Sequence, residues 1–448
     1  MTAVSQSPTR SSVPPMTVAR LTSLAVVAAN VLVVEMLFFA SGTGKNPTLT
    51  VGKFFGLHAA MIMMVQLLLV SRLPWLDRRI GMDRLTSWHR WVGFALLWTV
   101  LTHASIVVLG YARLSGTTLW PTFLSLAGVT ASLLGMIAAA IIVTVAVLSI
   151  RYARRRLSYE AWHGLHLLLY VAVGIGLLHQ MMEIPTFPDS SLANAYWWTL
   201  WGIVITALIV GRVGIPLWRN AYHQFRVAAV VPESDDVVSV HITGRHLDRL
   251  PARAGQFFIW RLLGHNRWWQ ANPFSLSAAP NGQALRLTAK AAGATSTRLR
   301  QVPVGTRVFA EGPYGAFTAM HRSREASLLI AGGVGITPIR ALLEEAVGSV
   351  IVLYRAQTMA DAVLLPELQE LARERGAQVH VLTGRTGAGS PPNAPFEPAN
   401  LAALVPDITE REVFVCGPPA MTSAVLRSLR ALRVPRRQVH AERFSLAG

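Results

Sequence analysis

Six apolar runs, at about 17–39, 52–71, 88–110, 124–149, 162–182 and 197–218, constrain this chain more than anything else in it. A bilayer core of about 30 Å needs roughly 20 apolar residues in a helix, because backbone polar groups there must be satisfied within the segment. Each run is long enough, so residues 17–220 are expected to form a six-helix transmembrane bundle. The remainder has the composition of a soluble protein. Charged residues are 14% of the chain, where a soluble one carries about a quarter. Only 16 of the 41 Lys/Arg and 6 of the 23 Asp/Glu precede residue 221, so the deficit sits in the first half.

Basic residues cluster at alternate connections. Arg72, Arg78, Arg79 and Arg84 lie between runs two and three, and Arg151, Arg154, Arg155 and Arg156 between runs four and five. The opposite connections, 40–51, 111–123 and 183–196, hold only Lys45 and Arg113. Basic loops stay cytoplasmic, so the asymmetry predicts a multi-pass cell-membrane protein with both termini inside. The net charge of +18 then reads as attraction to anionic lipid headgroups. With no basic stripe interleaved with aromatics, a nucleic-acid partner is excluded. Residues 1–16 are Ser/Pro-rich and polar, an expected disordered tail with no small-residue cleavage site. One cysteine, Cys416, rules out an internal disulfide, a Cys-based zinc site or a four-Cys iron–sulfur cluster. Redox chemistry in this chain must use flavin or haem.

Ionisable residues inside a span are costly and mark function by default. Run three carries His89 and His103, fourteen residues apart, and run five His166 and His179, thirteen apart. Both separations approach whole numbers of turns, so each pair shares a helix face with its members roughly 20 Å apart. Both runs start on the same side, so His89 matches His166 in depth and His103 matches His179. Facing imidazoles at two levels predict two bis-His haem sites, with these four residues as metal ligands. Four histidines bonded to neighbouring helices are the bland alternative, and matched depths weigh against it. His163 competes with His166 as ligand or propionate contact. His58, near the depth of His103, either flanks the outer haem or makes a structural hydrogen bond. Trp91 and Trp98 are expected as packing or interface residues, and Met61, Met63 and Met64 as lipid-facing filler.

After Trp218 short strands alternate with turns, at 225–231, 237–243, 256–261 and 285–290, predicting a small β-barrel over 221–321. Within it, Asn272-Pro273-Phe274-Ser275 offers a planar aromatic and a small hydroxyl suited to a flavin ring. Lys290, Gly293, Thr295 and Ser296 supply a cation, small residues and hydroxyls suited to a pyrophosphate. The last part, 322–448, alternates strands and helices as a parallel α/β domain. Its Gly332-Gly333-Val334-Gly335-Ile336-Thr337-Pro338 turn places helix N-terminal amides against phosphate. Cys416-Gly417 and Thr337 converge at the strand ends, and Arg355 and Arg385 suit a 2′-phosphate, favouring NADPH over NADH. Phe274, Ser275 and Cys416 are the residues expected beside the reacting atoms.

These motifs resemble, over nearly the whole chain, the ferric reductase/NADPH oxidase superfamily in its compact bacterial form. The His89/His103 and His166/His179 spacings reproduce the thirteen and twelve intervening residues of that family's haem ligands on spans three and five. Asn272-Pro273-Phe274-Ser275 is similar to its His-Pro-Phe-Thr/Ser flavin motif, with Asn in place of His. Gly332–338 and Cys416-Gly417-Pro418 match its nucleotide motifs, and Phe444 falls where an aromatic covers the flavin. The resemblance implies bound FAD, two b haems and NADPH. It implies electrons passing singly from the flavin, through the His89/His166 haem and then the His103/His179 haem, to an outside acceptor. A ferric chelate is the first expected acceptor and O2, reduced to superoxide, the second. Both halves of the path lie in one chain, so no protein partner is required. A six-span channel with a nucleotide-sensing domain is the reading from another class, and it predicts no haem.

Overall fold

The computed structural model describes residues 16–41, 46–150, 156–157, 159–183, 187, 190–264, 272–291, 293–387 and 393–443. Residues 1–15 of the expected N-terminal tail, Lys45, Arg151, Arg154, Arg155 and Phe444 lie outside them, while Met16, the tail's last expected residue, opens the first helix. The chain divides into two compact units. One comprises Arg20–Leu73 and Asp83–Val213; the other comprises Met1–Ala19, Pro74–Met82 and Gly214–Gly448.

Helices in the first half are α1 (Met16–Ala40), α2 (Pro47–Leu69), α3 (Pro74–Ile80), α4 (Met82–Ser115), α5 (Leu119–Ala127), α6 (Thr130–Ser149), α7 (Tyr159–Met182), α8 (Ser191–Ile209) and α9 (Ile215–His223). Among the described residues six stretches are long and apolar enough to cross a bilayer: Val18–Ala40, Pro47–Leu69, Arg84–Ser115, Thr130–Ser149, Ala161–Met182 and Ser191–His223. They correspond to the six apolar runs, with shifted ends. The second begins at Pro47 rather than 52, because Asn46 Oδ1 caps it by accepting the Leu49 N–H at 3.1 Å. Pro at the first helical position costs no hydrogen bond there. The fourth starts late, since α5 ends at Ala127, capped by Gly128, and α6 restarts at Thr130. The sixth continues through a π-helical turn, Val210–Gly214, into α9. Gly211 is required in that turn, because a Cβ there would overlap the Ser71 carbonyl oxygen.

The core of the membrane unit holds Trp197, Trp201, Phe187 and Leu67. It also takes in Met61, Met63 and Met64, at 7%, 7% and 5% exposure, so the run expected to face lipid faces protein instead. Unbranched thioether chains fill irregular gaps between helices. Trp91 and Trp98 are each 68% exposed on the outside of α4.

In the second unit, β1 (Arg226–Pro232), β2 (Val237–Thr243) and β5 (Ala284–Lys290) form one antiparallel sheet, and β4 (Asn272–Ser275), β3 (Phe257–Leu262) and β6 (Val308–Tyr314) another. In place of continuous barrel ladders, isolated pairings Arg226–Arg307 and Leu276–Leu287 link the two three-stranded sheets. Alternate residues Val238, Val240, Ile242, Phe258, Trp260, Leu285 and Leu287 fill the space between them.

There follow α10 (Ala294–Arg298), β7 (Ser327–Gly332), α11 (Ile336–Glu344), β8 (Val350–Arg355), α12 (Leu365–Arg375), β9 (Gln378–Leu382), α13 (Pro398–Leu404), β10 (Glu412–Gly417), α14 (Pro419–Ala431) and β11 (Val439–Arg443). The last five strands make a parallel sheet in the order β11-β10-β7-β8-β9. β7 is buried along its whole length, as a central strand covered on both faces must be. The chain leaves β7 toward β8 and later returns to its other side at β10. The order therefore reverses between β7 and β10, the place where open parallel sheets bind ligands.

Candidate functional site

In the membrane unit α4 and α7 bring the predicted histidines together. The His89 and His166 rings lie 6.1 Å apart, centroid to centroid, inclined at 69°. Two imidazoles holding one metal from opposite sides, with metal–nitrogen bonds of about 2 Å, would sit roughly 6–6.5 Å apart. Each ring keeps a buried Nδ1 with no hydrogen-bond partner among the described residues, while the Gln66 backbone faces His89. Trp162 stacks on His166 at 5.1 Å. His166, not His163, therefore stands opposite His89; His163 is exposed, within electrostatic reach of Arg72 and Arg212.

The His103/His179 pair is held differently. His103 Nδ1 lies 2.8 Å from the Gly52 carbonyl oxygen, and His179 Nδ1 lies 2.8 Å from that of Ala131. A carbonyl can only accept, so each Nδ1 carries the proton and each Nε2 keeps a lone pair. One helical turn beyond each carbonyl stands a glycine. A Cβ on Gly56 would lie 2.7 Å from His103 Cε1, and one on Gly135 would lie 3.0 Å from His179 Cε1. Thus α2 and α6 each offer a carbonyl at one position and a bare backbone four residues on, making room for a ring. Sequence reasoning missed these four residues, although the i, i+4 spacing of Gly52/Gly56 and Ala131/Gly135 was legible. Among the described residues no group of three or more His, Cys, Asp or Glu gathers as a metal site; a haem needs only two protein ligands.

His58 follows Gly56 by two residues, about 200° around α2, and so points away from His103. Its Nε2 lies 3.0 Å from Glu35 Oε1 on α1, and its Nδ1 donates to the Phe54 carbonyl at 2.9 Å. Of its two expected roles, the hydrogen-bonding one is what these contacts describe.

In the second unit, β3 and β4 pair Phe258 with Phe274 and Phe257 with Ser275. Phe274 is half-buried, and its carbonyl accepts Trp260 Nε1–H at 3.2 Å. Asn272 Nδ2 reaches the Trp260 carbonyl at 3.5 Å, and Pro273 is exposed. Ser275 is 3% exposed, and its Oγ has no partner among the described residues. A buried hydroxyl left unpaired costs about 1–3 kcal/mol, which a ligand atom would recover. Lys290 instead pairs with Asp236 at 3.0 Å and holds that carboxyl below the usual range. The Gly293 N–H donates to Ser296 Oγ at 3.0 Å, and Thr295 is the second residue of the short helix that Gly293 caps.

At the β7/β10 reversal the two glycine motifs interlock, with Ala331 paired to Cys416. A Cβ on Gly335 would strike the Cys416 carbonyl, and one on Gly417 would lie 3.1 Å from the Gly332 nitrogen. Gly333 takes φ +54, and Gly335 leads directly into α11. Thr337 Oγ1 donates back to the Val334 carbonyl at 3.1 Å, and Pro338 is buried behind it. Cys416 is fully buried, and burial pushes its thiol up, so it is neutral. Arg355 donates to the carbonyls of Leu382, at 3.1 Å, Thr383, at 2.7 Å, and Gly384. Its guanidinium thus holds the loop on which the exposed Arg385 stands.

Comparison with known proteins follows the same division. Residues 55–177 match the family of ferric reductase like transmembrane components, 222–318 an FAD-binding domain and 329–427 an oxidoreductase NAD-binding domain. The chain is 32% identical over 237 residues to the ferredoxin reductase component of 3-ketosteroid-9-alpha-monooxygenase of Mycobacterium tuberculosis, covering 49% of this chain and 65% of that one. It is 30% identical over 190 residues to ferredoxin–NADP reductase B of Sorangium cellulosum, covering 38% and 77%. Across both halves it is 23% identical to dual oxidase 2 of Homo sapiens over 453 residues, covering 82% of this chain and 28% of that one. The chain therefore spans 65% of the first of these relatives and a much smaller share of the last.

Proposed function

The chain belongs to the ferric reductase/NADPH oxidase superfamily, and from that premise we propose that it is a transmembrane oxidoreductase. It takes electrons from NADPH in the cytoplasm, where both termini lie, and delivers them to an acceptor outside the cell membrane. The first acceptor is a ferric chelate. The observation that supports this reading is the shared protonation of the outer histidines: both donate Nδ1–H to a main-chain carbonyl, presenting Nε2 to a metal. Hydrogen bonding of the far nitrogen is what fixes a ligating imidazole.

Residues of the chain divide the work among the domains 17–220, 221–321 and 322–448, the second read as a small barrel on its two linking pairings. His89 with His166, and His103 with His179, would hold two b haems. Phe274 would pack on the flavin, and Ser275 would offer its unpartnered hydroxyl to it, with Asn272 and Pro273 shaping the strand. Lys290, Gly293, Thr295 and Ser296 would meet the FAD phosphates, and Phe444 would cover the ring. Gly333, Gly335, Thr337 and Pro338 would seat the NADPH pyrophosphate at the start of α11, beside Cys416 and Gly417, while Arg385 takes the 2′-phosphate on the loop that Arg355 braces. When bound, FAD and haem would supply the conversion of one hydride into two singly transferred electrons and a proton released on the NADPH side.

Likeness to dual oxidase 2 over 82% of the chain favours O2 as a second reading. Purified, flavin-loaded protein given NADPH should show a reduced Soret and α-band, lost stepwise in His103→Ala and His89→Ala. Ferric citrate reduction exceeding superoxide formation supports the first acceptor, and the reverse supports the second. Absence of any haem band overturns the function.

A further inference from the structure

We propose that Arg340, on α11, is a positioning residue that sets the nucleotide turn against the flavin strand for hydride transfer. This rests on the FAD and NADPH reading above, and every residue in it belongs to the second compact unit. The step served carries a hydride, two electrons with one proton, from NADPH to the flavin. NADPH thereby becomes NADP+ and the flavin gains both electrons. Arg340 is 5% exposed, although burying a cation is costly unless it is paired and hydrogen-bonded. Thr337, Arg340 and Glu344 follow one another at i, i+3 and i+7, along one face of α11. The face that opens on the glycine turn is therefore also the one that carries this charge.

Its guanidinium reaches the part of the unit that carries the flavin motif. It donates to the Ser277 carbonyl at 3.3 Å, two residues beyond Ser275. It also donates to Glu344 and, at 2.6 Å, to Glu367 on α12. A second buried guanidinium meets the same groups from β5. Arg286, 8% exposed, lies 3.0 Å from both Glu367 oxygens. It donates to the Ser277 carbonyl at 2.7 Å and to Ser277 Oγ at 3.0 Å. Glu344 accepts the Ala279 N–H at 2.7 Å, and Thr288 donates to Ser277 Oγ at 2.7 Å.

Two cations and two carboxylates thus balance around one main-chain segment, residues 277–279. For cohesion alone an apolar contact would serve as well, since buried ion pairs add little net stability. That contact is already present: Ala254 and Phe317 lie in the same core as Leu342 and Leu343 of α11. What planar guanidinium forks add is direction, because each N–H must aim at its acceptor. From Thr337 to Ser275 the path is three residues of helix, one hydrogen bond and two residues of chain. Arg340 therefore ties the start of α11, where the NADPH pyrophosphate would sit, to the strand whose orphaned hydroxyl would meet the flavin. Its role is indirect, exerted through the Ser277 main chain rather than on either nucleotide.

The test uses full-length, FAD-loaded protein carrying Arg340→Met together with Glu344→Gln, which removes one charge of each sign. FAD content, and NADP+ affinity by calorimetry, should stay within about twofold of wild type. Stopped-flow flavin reduction by NADPH should slow at least about tenfold, since small misplacement weakens a geometry-dependent step strongly. The long-wavelength absorbance that reports nicotinamide stacked on reduced flavin should weaken when NADP+ is added. Lost stability alone would not move that signature. Should the double variant fail to retain FAD, Arg340→Lys, which keeps the charge without the fork, is read for the same quantities and should show the same pattern less steeply. Wild-type rate and absorbance in the variant read, or affinity falling in step with rate, overturns the inference, as does loss of FAD from both variants. Wild-type protein whose flavin is not reduced by NADPH overturns the function itself, whatever the variants do.

Discussion

His103 donates its Nδ1–H to the carbonyl of Gly52 at 2.8 Å, from a helix turn whose next inward residue on that face is Gly56. Carbonyl and missing side chain act together: one orients the ring and the other leaves space for it. The same arrangement recurs where Ala131 and Gly135 meet His179.

Filling either space should cost the haem proposed for His103 and His179 alone. Gly56→Ala and Gly135→Ala each force the adjacent imidazole to move, so haem content should fall from about two to about one per chain. Gly174→Ala, on α7 with nothing within 4 Å of its added carbon, should keep both. The pyridine haemochrome assay checks the count; full retention in Gly56→Ala would remove the glycine from the site.

Ser275→Ala should retain FAD yet slow flavin reduction by NADPH roughly tenfold, the value of one hydrogen bond of about 1.4 kcal/mol. Ser275→Thr should keep most of the rate. Equal rates in wild type and Ser275→Ala, read by stopped-flow absorbance, would leave the buried hydroxyl without a part in the chemistry.

Arg385 stands exposed on a loop that Arg355 braces. Arg385→Ala should raise KM for NADPH about tenfold while changing KM for NADH less than about twofold, since only the former has a 2′-phosphate to lose. Arg355→Ala should weaken both nucleotides by loosening the loop. Steady-state titration with the two nucleotides distinguishes these patterns.

Glu412 is fully buried. Burial alone would raise its carboxyl, but bonds from His440 and from the Ser323 N–H and Oγ together hold it below the usual 4.5. A depressed carboxyl contributes stability that is present above its unfolded value and lost as pH falls through its folded one. The nucleotide-binding unit should therefore weaken progressively below about pH 4.5. Glu412→Gln should destabilise it by about 3 kcal/mol at neutral pH and flatten that acid limb. Thermal melts across pH 3.5–7 of the full chain, a range of roughly this window, test both; an unchanged acid limb in Glu412→Gln would assign the dependence elsewhere.

Much of this architecture was legible in order along the chain. The six runs, the paired histidines and the glycine turn at 332–338 are all local patterns of apolarity or spacing, and each appears in the structure near its expected place. The errors share a cause. Met61, Met63 and Met64 have the same apolarity whether they face lipid or protein, so composition could not bury them. His58 carried two readings, haem flank or structural hydrogen bond, because depth alone does not fix which face of α2 it takes. Arg355 has the chemistry of a phosphate ligand, yet its donors go to carbonyls 27–29 residues ahead that no motif marks.

The sequence by itself determined a membrane half with two levels of imidazole pairs and a soluble half with flavin and nucleotide motifs. It could do so because helix periodicity and bilayer thickness convert residue spacing into depth and face. Only the tertiary structure decided which groups stand against those imidazoles: the Gly52 and Ala131 carbonyls and the glycines one turn beyond them. Such partners are main-chain atoms, absent side chains or residues distant along the chain. Their roles arise from close approach between elements, which local pattern does not encode.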